Sequence, residues 1–102
     1  MHIEEVALHG YANRGLDLRI SVTTVEEHTD FTAITFRAGE GLVTQAALTA
    51  VDTAAGFDVD LTLTAAEMSI TPDVYRWELL ATFGGQVRTL VLGDFTVGEE
   101  PT

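Results

Sequence analysis

Few side chains in this sequence have the type and spacing that catalysis or metal binding needs. None of the histidines, His2, His9 and His28, has a second histidine or a carboxylate at a spacing that brings ligands together on one element. Neither Ser21 nor Ser69 stands in the Gly-x-Ser-x-Gly setting of an activated serine. The chain has no cysteine, which excludes thiolate metal sites, thiol nucleophiles and disulfides. We therefore expect no metal site, no cofactor and no serine or cysteine nucleophile.

Asp58 and Asp60 form a pair of carboxylates with a possible chemical meaning. Side chains two residues apart point to the same face of a strand, so a calcium site or a glycosidase pair is conceivable there. Phe57, Val59 and Leu61 alternate with them and favour the simpler interpretation of an exposed strand face. A hydrolase that uses Asp58 and Asp60 is therefore an alternative function, but we expect the chain not to be an enzyme.

The charge balance limits the class of partner. The sequence has 16 Asp and Glu against 5 basic residues, all of them Arg, for a net charge of −11. Nucleic acid and anionic lipid both bind clustered Lys and Arg, so we expect neither nucleic-acid binding nor membrane docking, while a basic protein surface remains open. We also expect no secretion signal and no membrane span, because the N-terminal residues lack the signal pattern and no apolar run approaches spanning length.

Tyr11, Asn13 and Arg14 form the first candidate for an interaction site. They stand together in a predicted loop before the first clear strand, and Tyr and Arg are enriched where proteins contact one another. Arg37, at the end of a predicted strand beside Gly39, is a second candidate, because the planar fork of Arg suits interfaces. We therefore expect these four residues to contact a partner.

A period of two residues is the clearest structural pattern. Apolar and polar side chains alternate from Leu16 to Val22 and again from Phe57 to Leu63, which predicts two half-buried strands. Thr and Val are frequent, and β-branched side chains fit a pleated surface better than a helix. A chain of 102 residues buries enough surface for one core, so we predict a single all-β domain over residues 1–102.

Three further strands are predicted between turn-forming residues. They run from Ile3 to Leu8, from Phe31 to Ala38 and from Val43 to Val51. The last of these contains an Ala-rich stretch from Ala46 to Ala50, so a helix remains the alternative there.

Two long apolar runs, from Val74 to Phe83 and from Val87 to Val97, flank Gly84 and Gly85. Consecutive glycines supply the positive φ angles of a tight turn, so this pattern predicts a hairpin. Its register stays open between two sets of pairs, which are Trp77 with Leu92 for a two-residue loop, or Leu79 with Val91 and Tyr75 with Phe95 for a three-residue loop with a bulge.

The segment before this hairpin predicts the fold family. Thr64 and Glu67 have capping-box spacing and Pro72 stops a helix, so we expect a short helical turn near residues 65–70. A strand, a helical corner and a hairpin in this order match strands E, F and G of an immunoglobulin-like sandwich. Tyr75 stands where such domains have a corner tyrosine, and Trp77 stands where antibody domains have a cysteine. We predict an Ig-like antiparallel β-sandwich of about seven strands, stabilised by these two residues without a disulfide.

A longer pattern in the C-terminal half resembles a known family. It consists of Leu61-Thr62-Leu63-Thr64-Ala65-Ala66-Glu67-Met68, then Pro72, Tyr75 and Glu78, then Gly85, Val87-Arg88-Thr89-Leu90 and Gly93-Asp94-Phe95-Thr96-Val97. The pattern resembles small Ig-like proteins encoded among the structural genes of tailed bacteriophages and prophages, and it is similar to the N-terminal domain of the phage baseplate upper protein. Residues 15–60 match that group only in outline. The chain departs from it at Pro72-Asp73-Val74, where the family has Pro-Gly before the Tyr.

The resemblance implies a virion structural protein without catalytic residues or a cofactor. The expected role is a minor tail or baseplate component that binds other virion proteins, and the alternative within this class is a head (capsid) decoration protein. The implied location is the virion, assembled in the cytoplasm of the bacterial host, with further copies of the chain as a homo-oligomer or symmetric repeat. A module that binds a host factor or a glycan through its loops is the alternative from another class, and a concave apolar pocket with converging polar groups would favour it.

Overall fold

The structure is a computed structural model that describes residues 4–99. Within this range nine strands carry the fold, and two of the connections contain single 3₁₀ turns, at His28–Asp30 and Gly39–Gly41. The strands are β1 (Glu4–Glu5), β2 (Leu8–Tyr11), β3 (Leu16–Thr23), β4 (Phe31–Ala38), β5 (Val43–Gln45), β6 (Ala50–Thr53), β7 (Gly56–Leu63), β8 (Asp73–Phe83) and β9 (Gln86–Gly98).

The strands form two sheets. One is six-stranded, with the order β1-β9-β8-β4-β5 and β2 also paired to β9, and the other has the order β3-β7-β6. This order is that of an immunoglobulin-like sandwich, in which strands B, E and D form one sheet and strands C, F and G the other. The predicted all-β sandwich is confirmed. There are more strands than expected because two predicted strands are each divided into two.

The core lies between the sheets and is made by the inward side chains of alternating strands. Along β7, Phe57, Val59 and Leu61 are buried, and β3 pairs with β7 over its whole length. Trp77 on β8 is 1 % exposed and stacks on Phe36, with ring centroids 5.7 Å apart. Burial of such side chains contributes roughly 1.5–3 kcal/mol each. The prediction that Trp77 fills the core is confirmed.

The first predicted strand is interrupted at Val6 into β1 and β2, which both run parallel to β9. The N–H of Val6 donates to the carbonyl oxygen of Leu92 at 2.8 Å, and its own carbonyl oxygen accepts the Nε1–H of Trp77 at 2.9 Å. Gly93 makes this contact possible, because a Cβ there would lie 1.9 Å from the Val6 oxygen. The predicted strand from Ile3 to Leu8 is therefore wrong in extent, and its first residue lies outside the described range.

The segment from Val43 to Val51 was predicted as one strand, with a helix as the alternative. Both predictions are wrong, since β5 pairs with β4 in one sheet and β6 pairs with β7 in the other. Between them Ala47 has a φ of 55°, and the N–H of Leu48 donates to the carbonyl oxygen of Ile34 at 2.9 Å. The chain crosses from one sheet to the other here through an irregular segment, so the stretch is neither one continuous strand nor a helix.

β8 and β9 form the predicted hairpin. Its loop is the two residues Gly84 and Gly85, with φ angles of 59° and 81°. A bulge between Leu79 and Leu80 then shifts the register. Beyond the bulge the pairs are Leu79 with Val91, Trp77 with Gly93 and Tyr75 with Phe95. The structure thus combines the short loop of one predicted register with the pairing of the other.

The corner between β7 and β8 is a single turn over residues 65–68, within the predicted range of 65–70. The N–H of Thr64 donates to Glu67 Oε1 at 2.9 Å, and the N–H of Glu67 donates to Thr64 Oγ1 at 3.1 Å, which completes the predicted capping box. The hydroxyl of Tyr75 donates to the carbonyl oxygen of Thr71, as expected of a corner tyrosine. Across residues 4–99 no helix is long and apolar enough to cross a membrane.

Candidate interaction surface

Tyr11, Asn13 and Arg14 lie at the end of β2 and in the turn after it. The Tyr11 side chain is 38 % exposed and meets the His9 ring edge to face, with centroids 5.0 Å apart. Asn13 has a φ of 63°, and its N–H donates to the carbonyl oxygen of Met68 at 2.8 Å. The N–H of Arg14 donates to the Tyr11 carbonyl oxygen at 3.3 Å. The predicted loop is therefore a tight turn held against the helical corner, with all three residues exposed at the surface.

Arg37 lies on β4, three strands away from Tyr11. Strands in a sheet are about 4.8 Å apart, so the two residues are about 14 Å apart across the sheet. Tyr11 pairs with Gly98 and Arg37 lies in the row of Leu92, which adds about 20 Å along the strands. Arg37 Nη2 donates to Glu78 Oε1 at 2.5 Å. Leu8 and Gly10 point to the core, which turns Tyr11 to the same side of the sheet as Arg37. The structure thus places two of the four predicted residues on one face, but far apart on it.

This face is formed by the outward side chains of the six-stranded sheet, and we call it the outer face. Its charged members are Glu5, Arg37, Arg76, Glu78 and Asp94, and its apolar members include Val74, Leu80, Val87 and Leu92. Arg76 donates to Asp94 at 2.8 Å and to Glu5 at 3.3 Å, and these bonds raise the pKa of Arg76. Val74 and Val87 are 57 % and 71 % exposed. Ion pairs and exposed apolar side chains therefore alternate across one broad surface.

Sequence reasoning did not single out the charged row around Arg76. The signal was present, because Arg76 and Glu78 alternate with the partly buried Tyr75 and the buried Trp77. Their cross-strand partners depend on the hairpin register, which the bulge decides and the sequence left open.

The outer side of the three-stranded sheet holds Asp58 and Asp60. Arg19 Nε donates to Asp60 at 2.7 Å, and Ser21 Oγ donates to Asp58 at 2.7 Å. The hydrogen bond from Arg19 lowers the pKa of Asp60, whose side chain is 59 % exposed. A glycosidase acid needs the opposite, a carboxyl in surroundings that raise its pKa. This geometry therefore argues against a hydrolase that uses Asp58 and Asp60 as its catalytic carboxyl groups.

A cleft opens at the end of the sandwich where β3 ends and β9 begins. It has a volume of about 320 Å³ and its walls include Val22, Phe31 and Leu90. The guanidinium of Arg88 lies 4.6 Å from the centroid of the Phe83 ring, a cation–π contact at the cleft. This is a concave, partly apolar surface that is also lined by two side chains of opposite charge, Arg88 and Glu26.

His28 and Asp52 meet beside this end of the molecule. His28 Nδ1 is 2.8 Å from Asp52 Oδ1, and the backbone N–H of His28 donates to the same oxygen at 3.0 Å. The backbone hydrogen bond is the larger of the effects that lower the pKa of Asp52. In the described part of the chain, no three His, Asp or Glu side chains lie close enough together to hold a metal ion.

The strand order and the tyrosine corner define the chain as an immunoglobulin-like β-sandwich. No protein-family model matches the chain, and no curated protein matches it either. The resemblance of residues 61–97 to phage structural proteins therefore stays a prediction.

Proposed function

We propose that this chain is a bacteriophage virion structural protein, a minor tail or baseplate component that binds other virion proteins. The observation that carries the proposal is the resemblance of residues 61–97 to the Ig-like proteins of tailed phages. Fold alone does not define function, since this sandwich serves many unrelated roles. The proposal therefore depends on the residue pattern, and the fold is compatible with it.

The residues that carry the resemblance have definite positions in the fold. Thr64 and Glu67 form the capping box of the helical corner, and the hydroxyl of Tyr75 donates to a carbonyl oxygen of that corner. Gly93 leaves the space that the carbonyl oxygen of Val6 occupies beside the first strand. They keep the corner and the hairpin in a fixed geometry, while the outer face and the turn after β2 remain exposed. Such a rigid module with exposed faces suits a component that is repeated in a particle.

The test is the protein content of phage particles. We expect mass spectrometry to detect the chain in particles purified from the bacterium that carries its gene, at a stoichiometry set by the particle symmetry. Cross-linking before digestion should connect it to tail or baseplate proteins, whereas links to the capsid shell would support head decoration instead. Absence from purified, intact particles would contradict both assignments.

The cleft at the β3–β9 end favours a second candidate function, a module that binds a host factor or a glycan. Pockets that bind small molecules combine apolar walls with a few directed polar groups, and this cleft offers Phe31, Leu90 and Arg88. Glycan-array binding that Arg88→Ala abolishes and Arg19→Ala leaves unchanged would support it. Equal binding by both variants, or none by the wild type, would contradict it.

A further inference from the structure

We propose that two copies of this chain associate through their outer faces, about a two-fold axis that runs parallel to the strands between β8 and β9. The proposal is independent of the virion assignment, because it depends on the side chains of this sheet alone. The partner is a second copy of this chain. The order of charges across the outer face and the area of that face both favour this partner.

One row of side chains crosses four neighbouring strands. Glu5 on β1 pairs with Leu92 on β9, Leu92 with Glu78 on β8, and Glu78 with Arg37 on β4. Because strands are about 4.8 Å apart, Glu5 and Arg37 lie about 7 Å on either side of the line between β8 and β9. A rotation of 180° about this line exchanges the two sides. Arg37 of one copy is thereby placed over Glu5 of the second copy.

The neighbouring row of side chains also has opposite charges on the two sides of the proposed axis. Asp94 on β9 lies directly opposite Arg76 on β8, one on each side of the proposed axis. The same rotation places Arg76 of one copy over Asp94 of the second. A two-fold axis makes every contact occur twice, so these two rows bring four pairs of opposite charges together between the chains, beside the ion pairs that Arg37 and Arg76 already form within each chain.

The net charge of the outer face permits two copies to approach. Two arginines, Arg37 and Arg76, stand there against the carboxylates of Glu5, Glu78 and Asp94, and Glu40 lines the same depression as the two arginines, which gives a net charge of −2. The whole chain carries −11. Contacts between like charges are unfavourable, so it is the pairing of opposite charges across the proposed axis that favours association.

The area of the face is sufficient for a stable dimer. With the axis between β8 and β9, the four strand positions of β1, β9, β8 and β4 overlap, and at about 4.8 Å each they give a width of about 19 Å, while an eight-residue overlap gives a length of about 26 Å. Each copy therefore offers about 500 Å², and the pair about 1,000 Å², the size that a specific interface between proteins has to reach. The three-stranded sheet offers about 750 Å² by the same reasoning, which is the size of a crystal-packing contact.

Apolar side chains alternate with the charged ones along the two strands that flank the proposed axis. Leu80 on β8 and Leu92 on β9 are partly exposed. Val74, at 57 % exposure, adds a further apolar side chain on β8. The rotation places Leu92 of one copy over Glu78 of the second, so these side chains contribute contact area between the charged pairs.

The experiment is a charge exchange read by sedimentation equilibrium. The wild type should have twice the chain mass of 11.0 kDa at micromolar to millimolar concentration. Arg37→Glu places a carboxylate against Glu5, and Glu5→Arg places a guanidinium against Arg37, so each variant alone should dissociate roughly tenfold or more readily. An equimolar mixture of the two variants restores opposite charges at both contacts. It should therefore form a heterodimer.

The matched control is Arg19→Glu. It makes the same charge change and breaks the same kind of cross-strand pair, but on the three-stranded sheet. We expect its dimer to be unchanged. Should circular dichroism show that either outer-face variant is unfolded, Arg76→Glu with Asp94→Arg gives the same test in the second row.

Three results would each overturn the proposal: a wild type that stays monomeric at millimolar concentration, folded variants that do not combine when mixed, or a control that dissociates like Arg37→Glu. A wild-type dimer together with absence from phage particles would retain this inference and remove the virion assignment. A monomer found in particles would do the reverse.

Discussion

At the scale of single residues, Trp77 occupies the strand position where antibody domains have a cysteine, and its ring is buried in the core. The indole ring stacks on Phe36 of the neighbouring strand, and its N–H donates to the carbonyl oxygen of Val6. One side chain thereby connects the centre of the six-stranded sheet with its edge. The chain has no cysteine, so packing and hydrogen bonds of this kind replace any covalent cross-link.

Replacement of Trp77 by Ala should lower the free energy of unfolding by about 3–5 kcal/mol, because a fully buried aromatic ring leaves a large cavity. Urea unfolding followed by circular dichroism measures this loss. Trp77→Phe keeps most of the ring volume and should cost less. A near-neutral Trp77→Ala would contradict the position of Trp77 in the core.

Residue types in the sequence were enough to predict the corner tyrosine and the buried tryptophan, because both follow from their place on a recognisable strand. They were not enough to predict which charges meet on the outer face. Arg76 reaches Asp94 only after the bulge beside Leu79 has fixed the register. Cross-strand contacts depend on the register more strongly than on residue type.

At the scale of elements, the first strand depends on Gly93. The carbonyl oxygen of Val6 occupies the space that a Cβ on residue 93 would take. β1 and β2 are short, and their hydrogen bonds with β9 and Trp77 hold them at the edge of the six-stranded sheet. A side chain at residue 93 would therefore displace the strand from this edge.

Gly93→Ala should destabilise the protein by about 1–3 kcal/mol, the usual cost of inserting atoms into a packed site. Hydrogen exchange should become faster in residues 4–11. Gly15→Ala is the matched control, because a Cβ there would lie 3.4 Å from the carbonyl oxygen of Leu63, an ordinary contact. Equal effects of the two substitutions would contradict the role given to Gly93.

The helical corner gives a pH-dependent contribution to stability through Glu67. The hydrogen bond from the N–H of Thr64 lowers the pKa of Glu67 in the folded chain. The stabilisation is therefore present above the unfolded pKa, about 4.3, and is lost as the pH falls through the lower folded value. Glu67→Gln should be less stable than the wild type at pH 7, and the difference should shrink at pH 3.

Urea unfolding at the two pH values measures that difference. Glu40→Gln, on the exposed 3₁₀ turn at Gly39–Gly41, removes one carboxylate outside the corner and serves as the control. A constant difference between Glu67→Gln and the wild type at both pH values would exclude an ionic contribution of the capping box.

Elements with a strict period of two were predictable, and elements that change sheets were not. β3 and β7 have one wet face and one buried face along their whole length, so the pattern itself gives the strand. The segment from Val43 to Val51 instead leaves one sheet and enters the other. Its apolar residues belong to two different sheets, so no single period of hydrophobic residues describes the whole segment.

At the scale of the whole molecule, the fold joins distant parts of the chain. The first strand pairs with the last, and β3 pairs with β7 rather than with its neighbour in sequence. Such non-local pairing slows folding, so we expect refolding in milliseconds to seconds. The single Trp is a direct stopped-flow fluorescence probe of core formation. Refolding in microseconds would contradict this expectation.

The parallel pairing of β2 with β9 also determines how the molecule responds to tension. Glu4 pairs with Val91 in the middle of β9 and Tyr11 pairs with Gly98 at its C-terminal end, so the two strands run side by side in the same direction over this length. A force applied at Glu4 and at Gly98 acts along the strands, across the direction of the hydrogen bonds between them. It loads the whole ladder in shear at once instead of opening one bond after another. The fold can therefore transmit a mechanical load from one end to the other before it yields.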